Sequence, residues 1–248
     1  MDSSILERLA RFGASKTNTE LWDECALALA DYGFTYAKYG LVTASPKAPR
    51  LADIVLFGQF SDEWESYNRT IDWPSEDYVV QHLISRSVPL QFGELYSKLR
   101  GSELTDAQKR NHSVSLDLGM FHGIAIPCRT RNPFALGGTS LVADSAFNDA
   151  TFAKHIENIF PHLEILVEAF HSLLHRPSLL PENRQLSARE RECLIWLASG
   201  RRLDAVADKM GTQIKTVEKQ LANARRKLAA RTTNQAIARA IALELLEL

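Results

Sequence analysis

Near the end of the chain, apolar positions recur at helical spacing in two adjoining blocks. Leu203, Val206, Ala207 and Met210 form the first, and Val217, Leu221, Ala224 and Leu228 form the second. Gly211 lies between them and can take the positive φ of a sharp turn. The pattern predicts a short helix, a turn and a second helix, which is the helix-turn-helix arrangement. Away from its apolar stripe the second helix carries Lys215, Lys219, Arg225, Arg226 and Lys227. A helix lying against DNA phosphates needs such a charge set. A plain amphipathic hairpin with solvated charges is the competing reading, because basic helix faces are common.

The neighbouring stretches fit a small four-helix domain. Ser187 and Glu190 have capping-box spacing ahead of a helix over 189–199, which Gly200 can end. A last helix is expected from about Asn234 to Leu246. It has more apolar surface than one stripe needs, so part of it is free to pack against a second copy.

Before residue 176 the periodicity changes repeatedly. Ile5, Leu6, Leu9 and Phe12 predict one amphipathic helix, and Trp22, Cys25, Ala26 and Leu29 a second over 19–31. Segments 34–42 and 53–58 are rich in aromatic and β-branched residues and read as strands. Helices follow at 61–69, at 75–85 opening at Ser75, and at 104–119 with Thr105 as cap. Segments 122–128 and 138–143 form a hairpin with a long loop, and 148–175 is one long helix containing Pro161. The fold class is therefore α+β: an N-terminal α/β/α sandwich with a mainly antiparallel sheet, joined to the small helix-turn-helix domain. Two prolines and polar residues make 176–185 the linker, giving domains 1–175 and 186–248.

Charge sharpens this division. The chain of 248 residues has a net charge of −1. From Glu182 onward thirteen Lys and Arg face eight Asp and Glu, a balance of +5 that leaves −6 on the remainder. One end is suited to a polyanion and the other is not. The three cysteines, Cys25, Cys128 and Cys193, are too far apart for a zinc site or a disulfide framework, which fits a reducing cytoplasm. No apolar run is long enough to cross a bilayer, and the first residues do not resemble a signal peptide. No Ser/His/Asp or Cys/His set and no glycine-rich phosphate loop is visible, so no catalytic residue, metal ligand or resident cofactor is expected. His82, His112 and His122 are read as structural.

The C-terminal segment resembles the DNA-binding domain of LuxR-type transcription regulators. The resemblance rests on Leu186-Ser187-x-Arg189-Glu190, Trp196-Leu197-Ala198-x-Gly200, Val206-Ala207, Thr216-Val217-Glu218, Leu221-x-Asn223-x-Arg225-x-Lys227-Leu228 and Gln235-Ala236. It implies that the helix from about Lys215 enters the major groove. Lys215, Thr216, Glu218, Lys219, Gln220 and Asn223 then approach phosphates or base edges, and Arg225, Arg226 and Lys227 hold phosphates. Gln213 stands where the family often has a capping serine, and Gln220 where it often has histidine.

The first part resembles the autoinducer-binding domain of acyl-homoserine-lactone receptors, on Trp64 followed thirteen residues later by Asp77, on VVQHLISRSVPLQF, on GIAIP over 123–127 and on Thr139 to Val142. A layout for a phosphorylated receiver domain is not found before Arg176. The resemblance implies that Trp64 donates to a lactone carbonyl and Asp77 accepts from the ligand amide. Phe60, Asn68 and Phe92 occupy positions where the family has tyrosine, tyrosine and tryptophan, Tyr78 replaces a proline, and Ser140 is a further candidate contact. Three outcomes stay open: an acyl-homoserine lactone, a different small molecule, or a signal-free domain that serves dimerisation or partner docking. The expected function is a DNA-binding regulator acting on a near-palindromic duplex site, as a homodimer or paired with a related chain.

Overall fold

The computed structural model describes residues 3–42, 54–94, 96, 101–128, 136–174, 185–243 and 245–246. The chain divides into two compact units, 1–174 and 175–248. The linker expected at 176–185 lies outside the described residues except for Gln185.

The first unit opens with helices α1 (Ser3–Ala14) and α2 (Asn18–Ala30). Ile5 and Phe12 of α1 are wholly buried, whereas Leu6, one step off that stripe, is half exposed. Thr17 starts α2 by accepting the Glu20 amide at 3.1 Å, which satisfies one of the donors a helix start leaves open. Strands β1 (Phe34–Val42) and β2 (Ile54–Gln59) follow. After α3 (Asp62–Asn68) come α4 (Trp73–Glu76), α5 (Tyr78–Ser85) and strand β3 (Leu90–Gly93). Helix α6 (Asp106–Asp117), strands β4 (His122–Cys128) and β5 (Leu136–Ala143), and the long helix α7 (Asp149–Leu174) complete the unit.

The strands form one antiparallel sheet in the order β2-β1-β5-β4-β3. Alternation along β1 separates its two faces. Tyr39 and Leu41 are wholly buried. The Tyr39 ring lies 4.9 Å from that of Phe170 in α7, which in turn lies 5.2 Å from Trp22 of α2. Lys38, Gly40 and Val42, on the intervening positions, line a cavity on the opposite face. Helices α1, α2 and α7 pack together on the first face, and α5 covers β3, β4 and β5 on the second. This is the expected α/β/α sandwich.

Two local readings need correction. The helix expected to open at Ser75 is two short helices, because Asp77 between them is extended (φ −99°, ψ 108°) and caps the second. Strand β3 was not legible: it has four residues and follows Pro89, so it offers too little alternation to detect.

In the second unit, α8 (Ala188–Ala198), α9 (Leu203–Lys209), α10 (Ile214–Lys227) and α11 (Thr233–Ala242) enclose a core around Leu194, Val206, Val217, Leu221, Ala224 and Ala236. Gly211 takes φ +60° in the turn between α9 and α10. Helix α11 ends earlier than the apolar pattern predicts. Leu245 and Leu246 then enter this same core, 5% and 7% exposed, so part of the apolar surplus is absorbed within the chain.

The capping box at α8 is present in full: Ser187 Oγ accepts the Glu190 amide at 3.2 Å, and Glu190 accepts the Ser187 amide at 2.8 Å. Glu190 also accepts from Lys227 Nζ at 2.7 Å across the core. Burial alone would raise the Glu190 pKa, but the Lys227 and Ser187 hydrogen bonds outweigh it and the net shift is downward from 4.5. Stability from a depressed carboxylate is complete above its unfolded-state value and is lost as pH falls through the folded one. The stability advantage of the wild type over Glu190→Gln should therefore hold above pH 4.5 and shrink below it. Denaturant melts of both proteins across that range check this; an advantage independent of pH contradicts it.

Candidate functional site

The cavity on the second face of the sheet has a volume of about 150 Å³. Its floor is the sheet, with Gly40 of β1 and Gly137, Gly138 and Ser140 of β5, and its walls come from α3 through α6. Small floor residues leave the space open. A Cβ at Gly138 would stand 2.8 Å from Leu83 Cδ2. At Gly123 it would stand 2.2 Å from the Phe92 ring, so glycine there lets that ring come close to β4.

All six residues singled out for ligand contact, Phe60, Trp64, Asn68, Asp77, Phe92 and Ser140, line this one cavity. Ser61 caps α3 by accepting the Trp64 amide at 3.2 Å, which fixes the start of the helix that carries Trp64 and Asn68. The indole is 5% exposed and packs at 6.4 Å from Phe60 and 5.7 Å from Tyr67. Asp77 accepts the amides of Val79 at 2.8 Å and Val80 at 3.1 Å, both on Oδ1. It is thus the cap of α5, and Oδ2 keeps its accepting capacity. Burial pushes the Asp77 carboxyl up, partly opposed by those two amides. Asn68 Oδ1 is buried without a hydrogen-bond partner among the described residues.

Several cavity residues were not found from sequence. Lys38 on β1 pairs with Glu65 on α3 at 2.7 Å and lies 5.7 Å over the Phe60 ring, so a neutralised ion pair forms part of the wall. Asn111 and His112 of α6 also face the cavity. His112 was read as structural. It does pack edge-on to Tyr78 at 5.6 Å, yet neither of its nitrogens has a partner among the described residues. No motif announced these two, because a polar pair on a mostly polar helix gives no periodic signal.

In the second unit α10 presents a continuous outer face. Lys215, Thr216, Glu218, Lys219 and Arg226 are exposed, and Gln220 and Asn223 half-buried. Val217, Leu221 and Ala224 hold the opposite face in the core. Ile214, in the first turn, is 45% exposed and adds an apolar side chain to this face that charge counting missed. Asn223 Oδ1 accepts from Arg226 at 3.2 Å. Lys227 departs from its expected role: its ammonium is engaged by buried Glu190 rather than directed outward for a phosphate.

One trio among the described residues, Glu94, His122 and Asp149, holds ligating atoms within 4.8 Å of one another. His122 Nε2 and Asp149 Oδ1 already share a 3.1 Å hydrogen bond. The three cysteines are buried and unpaired, and burial raises their thiols away from nucleophilic range.

Comparison with known proteins agrees with this fold. Residues 17–173 match the autoinducer binding domain, and residues 184–240 match the bacterial regulatory proteins of the luxR family. The chain belongs to the LuxR family of transcriptional regulators. The transcriptional activator protein AnoR of Acinetobacter nosocomialis is 23% identical over 99% of this chain and 100% of its own length. The crystal structure of Escherichia coli SdiA superposes with a TM-score of 0.66 at 19% identity, covering 99% of both chains. SdiA in complex with octanoyl-rac-glycerol gives a TM-score of 0.63 at 20% identity, over 99% of this chain and 97% of that one. In this LuxR-family chain Gln213 begins α10 with φ −86° and ψ 150° but makes no side-chain capping bond. Replacing Gln213 by Ser should raise the unfolding free energy by about 1 kcal/mol. Denaturant unfolding of the two proteins measures it, and an unchanged or lower value contradicts the uncapped start.

Proposed function

We propose that the N-terminal unit holds a small, neutral, apolar-tailed molecule and that this occupancy governs how the C-terminal unit engages DNA. The observation that carries the reading is the convergence of Phe60, Trp64, Asn68, Asp77, Phe92 and Ser140 on one cavity. Its lining is mostly apolar with a few polar groups, as ligand sites require. Lys38 is already neutralised by Glu65, which favours an uncharged ligand. Ligand acts on DNA binding only through different affinities for two arrangements of the protein. Such a molecule need not be a homoserine lactone, since three of the six positions depart from the lactone-receptor pattern.

On the DNA side, Lys215, Thr216, Glu218, Lys219, Gln220, Asn223 and Arg226 form the proposed contact face. Lys215, Lys219 and Arg226 set register on phosphates, while Gln220 and Asn223 reach base edges. A homodimer places two such helices on a near-palindromic site. The protein works in the cytoplasm, where that DNA lies. Among the described residues no helix is long and apolar enough to cross a membrane.

Melting curves of the whole chain with acyl-homoserine lactones, acyl amides and acylglycerols test the sensor half. At least one should stabilise the protein, by about 2.7 kcal/mol at a hundredfold excess over Kd, and Asp77→Ala should weaken that response. No stabilisation by any of them returns the signal-free alternative. For the DNA half, the double change Lys215→Ala and Lys219→Ala removes four lysines per homodimer and should weaken duplex binding and flatten the slope of log K against log salt by about 3.6. Retained affinity with an unchanged slope contradicts the placement of those two lysines.

A further inference from the structure

Three side chains from distant parts of the first unit meet at one edge of the sheet. Glu94, His122 and Asp149 bring one potential ligand atom each within 4.8 Å of one another. Glu94 directly follows β3, His122 opens β4, and Asp149 is the first residue of α7. Each backbone is held independently of the cluster. Gly93 pairs with His122 in the β3–β4 register, and the Glu94 amide donates to the Phe121 carbonyl at 2.8 Å. A Cβ at Gly93, whose φ is +108°, would stand 2.1 Å from that same carbonyl oxygen, so glycine lets the chain come this close. Asn148 caps α7 by accepting the amides of Ala150 at 3.1 Å and Thr151 at 3.0 Å, which fixes the position of Asp149. The His122 ring is 5% exposed and packs 5.4 Å from the Phe152 ring.

An imidazole and two carboxylates are a donor set suited to a divalent transition ion. His122 Nε2 and Asp149 Oδ1 stand 3.1 Å apart. Two donors on one ion, each at about 2.1 Å and at octahedral to tetrahedral angles, stand about 3.0–3.4 Å apart. That pair is already at ligand spacing. The third donor has at most about 1.5 Å to close, which rotation of a partly exposed glutamate can supply. With the imidazole neutral the set carries two negative charges, which a divalent ion balances, and two carboxylates held this close otherwise repel. Sequence spacing shows no sign of the set, because its three positions lie far apart in the chain.

We propose that Glu94, His122 and Asp149 form a binding site for one divalent transition-metal ion of the zinc class. Bound there, the ion ties the β3–β4 edge of the sheet to the start of α7 and leaves its remaining positions to water. The site is separate from the cavity, which none of the three residues lines. The inference therefore stands or falls independently of the signal-site reading.

The test uses the tag-free full-length protein, freed of metal with a chelator, and zinc as the probe. Titration calorimetry on the wild type should give one zinc per chain. Glu94→Gln and Asp149→Asn each keep the side-chain shape and remove a charged donor, and each should weaken that binding at least about tenfold. Cobalt as a second probe should give the visible spectrum of a nitrogen- and oxygen-ligated ion, without the thiolate charge transfer that the cysteines would add. Wild type that binds no zinc overturns the proposal and leaves the His122–Asp149 hydrogen bond as a structural contact. Zinc affinity unchanged in either variant removes that residue from the set, and thiolate bands place the ion elsewhere; each overturns the three-donor site. Should Asp149→Asn fail to fold, Glu94→Gln decides together with the cobalt spectrum.

Discussion

Everything in the N-terminal unit turns on an incomplete face of the sheet. On one side, aromatic rings from α2, β1 and α7 close the interior: Trp22, Tyr39 and Phe170 meet at ring separations of 4.9 and 5.2 Å. On the other side the sheet offers Gly40 and Gly138, and the helices above leave a space of about 150 Å³. Close packing is the rule in protein interiors, and an open volume forfeits contacts on every wall. A fold that keeps such a space, with a few polar residues in a mostly apolar lining, fits the proposal that a small molecule completes its packing.

The C-terminal unit follows a different logic. Its core is filled by its own side chains, and even Leu245 and Leu246 beyond the last helix turn inward. The Glu190–Lys227 pair ties the first turn of α8 to the last turn of α10, so the helix that carries the proposed DNA contacts is anchored by a buried charge as well as by Val217, Leu221 and Ala224. The outer face of α10 is then free for recognition. Removing Lys227 from that face leaves Lys215, Lys219 and Arg226 as its exposed cations, with Arg225 half-buried beside them. The exposed positive charge is thereby concentrated toward both ends of the helix.

Much of this was legible in the sequence because it depended on period and on short-range chemistry. The 3.6-residue spacing in α9 and α10, the Ser187/Glu190 box and the alternation of β1 each involve residues close in the chain, and each formed as expected. The six cavity residues were reached through a family resemblance, and the fold does bring them together. What stayed hidden depended on pairing across long stretches of chain. Lys38 meets Glu65 only because β1 lies beneath α3, and Asn111 reaches the Glu76 carbonyl only because α6 packs on α4. The split of one expected helix at Asp77 has the same origin: the carboxylate both caps α5 and faces the cavity, and spacing alone did not reveal that double use.

The central claim is that a neutral small molecule completes the N-terminal unit. The most direct measurement is native mass spectrometry of the protein isolated from the cells that make it, before and after denaturation. The account predicts a stoichiometric organic adduct that denaturation releases, and that Trp64→Ala protein prepared in parallel carries to a much lower extent. A native mass equal to that of the bare chain, in protein that still binds its DNA with the expected salt dependence, would contradict it.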